Sequence, residues 1–137
     1  MDELDELRQS FRSICDRLGS EWHFRTAPAH DGSPHIEIDR GTYRYVVTER
    51  GGTLENRQTE SLNEVLYWLT SDLIFSLAGH FELNHRVVGQ DSRRIIFDRE
   101  LYLFNRISPE WADRKRFELD AITGNAGFPK LSPIRLG

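Results

Sequence analysis

A single cysteine, Cys15, leaves no partner for an intramolecular disulfide, so packing has to hold this 137-residue chain together. Lysine is nearly missing too: only Lys115 and Lys130 stand among the 18 basic residues. No run approaches the roughly 18 apolar residues of a membrane span, because the most hydrophobic stretch, residues 65–78, is broken by Thr70, Ser71 and Asp72. The N-terminus carries no basic region followed by an apolar core, as a secretory signal would. Proline and glycine never cluster into an internal linker. These absences predict one soluble, cytoplasmic domain over residues 1–137, with no membrane contact and no disulfide or metal needed for folding. Signatures of nucleotide and acyl chemistry are also missing: there is no phosphate-binding Gly-x-x-x-x-Gly-Lys loop, no Gly-x-Gly-x-x-Gly fingerprint and no Gly-x-Ser-x-Gly elbow. Nothing calls for a cofactor.

What is present is aromatic and acidic. Fifteen aromatic residues, 8 Phe, 4 Tyr and 3 Trp, supply large pieces for a core. The net charge of −4 lies in the first half, where residues 1–60 hold 8 Arg against 12 Asp and Glu, whereas residues 61–137 balance 10 against 10. A sequence-independent grip on nucleic acid draws on an excess of Lys and Arg, so nucleic acid is an unsuitable partner and a basic protein a suitable one.

Apolar periodicity sets the elements. Leu4, Leu7, Phe11, Ile14 and Leu18 recur at spacings of three and four, predicting a helix over residues 2–18 that Gly19 ends. Residues 20–34 read as an irregular segment, with Trp22 and Phe24 tucked onto the core. The run His35-Ile36-Glu37-Ile38-Asp39 then alternates as a strand, and a two-residue turn at Arg40-Gly41 sets Ile38 opposite Tyr43, Ile36 opposite Tyr45 and Glu37 opposite Arg44. A second turn at Arg50-Gly51 leads into an edge strand over residues 52–59, with Leu54 opposite Val47. Ser61 and Glu64 form a capping box ahead of a long helix to about residue 84, apolar on most of its sides. A helix over residues 91–107 follows, and Ser108-Pro109 opens a last one to residue 122, closed by Gly124. The tail beyond reads as extended. The class is α+β: an N-terminal helix, a three-stranded antiparallel meander, then three helices packed on the sheet.

Several constellations carry possible chemistry. His80, Glu82 and His85 are metal-ligand types, but two histidines five apart diverge on a helix, unlike an i, i+4 zinc pair, so no metal site is predicted. Cys15 has no nearby base in sequence and reads as a core thiol. Asp72 lies within the apolar run and Arg93-Arg94 directly precede Ile95-Ile96-Phe97, so burial would demand partners; the expected structure is an ion pair of Asp72 or Glu82 with Arg93 or Arg94. The same carboxylates and histidines in a helical cleft would make a small hydrolase, which is the alternative function. Glu37, Glu49 and Glu55 on the meander solvate its open face or present an acidic surface to a basic partner.

Taken in order, Pro34-His35-Ile36-Glu37-Ile38, the run from Tyr43 through Gly51, Leu66-Tyr67-Trp68, the run from Asp72 through Ala78, Gly89-Gln90-Asp91-Ser92-Arg93-Arg94-Ile95-Ile96-Phe97 and Ser108-Pro109-Glu110-Trp111 resemble the immunity protein 63 family. The resemblance implies a bacterial protein with no active site of its own, one that binds and neutralises a cognate toxin domain delivered between competing cells. It supplies no catalytic residues. The shared runs read mainly as scaffold, and residues 20–33 and 125–137 outside them are where a partner-specific surface can differ; the candidate contact residues are Glu37, Glu49 and Glu55 on the acidic hairpin, with Trp22 and Asp31 in the irregular segment before it. An acidic first half suits a basic toxin such as a nuclease.

Overall fold

The computed structural model of the protein describes residues 2–125. Its elements are α1 (Glu3–Arg17), β1 (Asp31–Asp39), β2 (Thr42–Glu49), β3 (Gly52–Thr59), α2 (Leu62–Asn84), α3 (Ser92–Ile107) and α4 (Pro109–Asn125). This is the α+β order read from the sequence. They fall into two compact units divided between Ser71 and Asp72, inside the continuous helix α2. The extended tail expected after α4 lies outside the described residues.

In the first unit, the Asp2 carboxylate accepts from the Asp5 N–H at 2.8 Å and starts α1, with Glu3, Asp5 and Glu6 at the positive end of the helix dipole. Leu7, Phe11, Ile14 and Cys15 form its buried face. The chain leaves the helix through Gly19, whose φ of +67° is costly for any residue with a Cβ. Trp22 and Phe24 then fold back, each ring centroid 6.0 Å from that of Phe11. The sheet has the order β1-β2-β3, and its first hairpin pairs Ile38 with Tyr43, Glu37 with Arg44 and Ile36 with Tyr45, as expected.

Both hairpin turns place two residues at positive φ, Arg40 (50°) with Gly41 (83°) and Arg50 (52°) with Gly51 (80°). Such turns match the right-handed twist of the strands they join. Nothing lies within 4 Å of a Cβ added at Gly41, so Gly41→Ala tests the backbone alone. The variant is expected to lose about 1–2 kcal/mol in urea denaturation, and an unchanged midpoint would show that the turn relaxes to another type.

Two details of the sheet depart from the sequence reading. β1 begins at Asp31 rather than His35: Asp31 pairs with Glu49, and the register slips between Asp31 and Pro34, where Gly32 has φ +85°. Proline and glycine signal a loop, and here they mark an irregularity inside the strand. In β3, Glu55 rather than Leu54 pairs with Val47, because a bulge between Val47 and Thr48 adds one residue. A one-residue slip exchanges faces, and Leu54 stands 64 % exposed. The inward side of β3 is therefore polar. Arg57 fills it, its guanidinium carbon 4.2 Å from the Tyr45 ring centroid and 4.8 Å from that of Trp68, with Nε 2.8 Å from Glu55.

The Ser61 hydroxyl accepts from the Glu64 N–H at 3.1 Å and caps α2. Residues 65–70 of this helix are all buried, and Trp68 meets the Tyr45 ring edge-on at 6.0 Å. The all-round burial expected for α2 stops there, since Phe75 and Leu83 are 59 % and 60 % exposed. In the second unit, Asp91 caps α3 by accepting from the Arg93 N–H at 2.8 Å, and Ser108 caps α4 by accepting from the Trp111 N–H at 3.2 Å. Helix α4 passes through Gly124 to Asn125, beyond the stop expected at residue 122. One helical glycine costs only about 1 kcal/mol, which neighbouring turns can offset. Leu101 and Leu119 join α3 to α4, with Phe97 packed beside them.

Candidate functional site

The acidic residues of the first unit divide into separate groups. Asp31 and Glu49 are cross-strand partners at the Arg50-Gly51 end of the sheet, and both are exposed. Asp31 also accepts from the Ser33 N–H at 3.0 Å and from the Ser33 hydroxyl. These bonds favour the carboxylate, the hydroxyl most strongly, and hold its pKa below the ordinary value. Glu37 shares a face with its partner Arg44, whereas Glu55 shares the other with Val47. Each has a neighbour: Glu37 lies 2.7 Å from the buried ring of His35, and Glu55 is bound to Arg57. The structure thus brings Asp31 and Glu49 together and separates Glu37 from Glu55. Trp22 is half-buried on Phe11, and its carbonyl lies 3.9 Å from the Cys15 Sγ. Burial raises the Cys15 thiol above its ordinary pKa, which keeps it a poor nucleophile.

In the second unit Asp72 sits half-buried on α2, and Glu82, 3 % exposed, meets Arg86 Nε at 3.0 Å. The Ser92 hydroxyl and then Arg86 hold the Glu82 carboxyl below its ordinary pKa, against the opposing effect of burial. Arg93 reaches Asp91 at 3.4 Å and Arg94 reaches Asp98 at 3.7 Å. Each of these pairs spans four residues or fewer. Among the described residues, no three His, Cys, Asp or Glu side chains converge as a metal cluster.

Three features escaped the sequence reading. Glu100 lies on α3, 4 % exposed, and burial pushes its carboxyl up to about 7; the Lys115 ammonium opposes the shift and the Glu118 carboxylate adds to it. Such a group could transfer protons near neutrality, but acid–base catalysis also requires access to the reacting atom. Its place is the core between α3 and α4. Its neighbour Leu101 and the i+4 spacing of Phe97 and Leu101 gave no sign of it, because only the position of α4 decides how deep this carboxylate lies.

The second feature is a stack on the second unit. The His85 ring lies on Phe81 at 3.9 Å and 9°, and the Arg99 guanidinium carbon stands 4.2 Å from the Phe81 centroid and 4.5 Å from that of Tyr102. The intervals of four between Phe81 and His85 and of three between Arg99 and Tyr102 were the available signal. The third is a shallow groove of about 480 Å3 lined by Phe75, Gly79, Leu83, Arg86 and Ile96, with Glu82 at its base. None of these arrangements is a recognisable catalytic centre.

No helix among the described residues is long and apolar enough to cross a membrane. Neither curated proteins nor solved structures gave a match to the chain. The sequence profile of the family described as Immunity protein 63 matches residues 39–121, more than half the chain, from the first hairpin turn into α4. The chain therefore belongs to the immunity protein 63 family.

Proposed function

We propose that this protein binds a cognate bacterial toxin domain in the cytoplasm and neutralises it by occupying the toxin's surface, with no catalysis of its own. Membership of the immunity protein 63 family carries this reading. Matched residues 39–121 include β2, β3 and α2, so the family likeness rests on the scaffold as well as on its surface. The exposed, neighbouring Asp31 and Glu49 favour a basic toxin, such as a nuclease, because two carboxylates at one end of the sheet attract cationic side chains during approach.

The test is binding to the toxin domain encoded beside the gene, at roughly 0.15 M salt. A stable complex with loss of toxin activity is expected, and the absence of any complex would refute the reading. Asp31→Asn with Glu49→Gln should slow association several-fold at low salt and leave dissociation nearly unchanged, since rim charges act mainly on encounter.

A further inference from the structure

Two exposed large apolar side chains of the second unit line one groove, and two more follow it in sequence. Phe75 and Leu83 border the groove on α2 at 59 % and 60 % exposure, and Val87 and Val88 follow in the turn at 57 % and 103 %. A β-branched residue fully exposed beside a second exposed one, next to an apolar groove, is the kind of patch that marks contact with another protein. Nothing in the turn requires valine there. Positive φ falls on Gly89, at +83°, and the helix that follows is capped by Asp91.

The groove also carries a specific charge. Glu82 engages Arg86 through Nε, at 3.0 and 3.2 Å to its two oxygens, while 64 % of the Arg86 side chain is exposed. Among the described residues its terminal nitrogens have no partner. Their geometry suits a second carboxylate from outside, taken side-on by two parallel N–H bonds. Glu82 is itself kept ionised by Ser92 and Arg86, so the guanidinium is held in place before any partner arrives. The Phe81, His85, Arg99 and Tyr102 stack lines a separate cavity and fixes the end of α2 against α3 through aromatic and guanidinium contacts.

We propose that this groove is the anchor of the toxin contact, taking an apolar side chain flanked by an Asp or Glu on the toxin domain: the apolar group lies on Phe75 and Leu83, the carboxylate meets Arg86, and the exposed Val87 and Val88 that follow Arg86 extend the contact. The inference rests on the toxin-binding function proposed above. A groove of this size supplies a hot spot within a standard interface of about 800 Å2 per partner, and the remaining contacts lie elsewhere on the surface.

The experiment measures the affinity of the purified toxin domain encoded beside the gene for the full chain and three variants. Leu83→Asp and Val88→Asp place charge at exposed positions, so their far-ultraviolet spectra and melting points should stay near wild type. Each is expected to weaken binding about 100-fold, and Arg86→Glu at least about 10-fold. If the wild type binds and the folded Leu83→Asp and Val88→Asp variants bind within about threefold of it, the anchor is overturned while the immunity function stands. If the wild type itself does not bind, the function fails and the anchor fails with it.

Discussion

At pH 8 the Glu100→Gln protein is expected to be more stable than the wild type by about 3 kcal/mol, and at pH 5 the gap should nearly close. The reason is burial. Glu100 titrates at about 7 when folded, against an ordinary value of 4.5, because desolvation disfavours its charge more than Lys115 favours it. The folded state therefore holds this proton more tightly than the unfolded chain. The stabilisation is fully present below the unfolded value and is lost as pH rises through about 7, so wild-type stability falls across that window. Glutamine has nearly the same shape and no charge to desolvate, and its variant should lack that slope. Urea denaturation at pH 5, 6, 7 and 8 reads the effect directly, and parallel pH profiles for the two proteins would show that Glu100 is solvated or paired when ionised. Lys115 offers only partial relief, since its ammonium also lies 3.1 Å from Glu118 and 5.5 Å from the Phe104 ring centroid.

Phe11→Ala should be costlier still, by about 3–5 kcal/mol, which approaches the whole stability of many domains. Phe11 is 2 % exposed and holds both Trp22 and Phe24 through ring contacts. A cleft of about 260 Å3 already borders it, between Arg8, Arg12, Cys15 and Trp22, so the neighbours have room to shift but few apolar groups to refill the space. Thermal melting followed by tryptophan fluorescence would report the loss, with a red shift as Trp22 becomes wet. A variant within about 1 kcal/mol of wild type would show that the segment after α1 is fastened by other contacts.

The register of the first hairpin was legible because three local signals agree. Arg40-Gly41 specifies a two-residue turn, Ile36 and Ile38 alternate with charged residues, and Tyr43 and Tyr45 continue the same face. The caps at Ser61 and Ser108 were legible for the same reason, since a hydroxyl reaching an N–H three residues on is a local geometry. The bulge at Leu54 was not, because inserting one residue into an edge strand disturbs few local preferences and changes only which face is inward. The exposed apolar surface was hardest to read. Phe75, Leu83, Val87 and Val88 look like core residues in one dimension, and a helix that is apolar on most sides says nothing about where its cover stops.

By itself, the sequence determined the kind of elements, their order, the turns and the family, all of which follow from short-range periodicity and from runs of residue types. Tertiary structure alone decided that Asp31 stands beside Glu49, that Arg57 covers the Tyr45 and Trp68 rings, that Glu100 is submerged and that α2 leaves a groove uncovered near its end. Burial and the meeting of distant side chains depend on how whole elements lie against one another, and no window of neighbouring residues contains that distance.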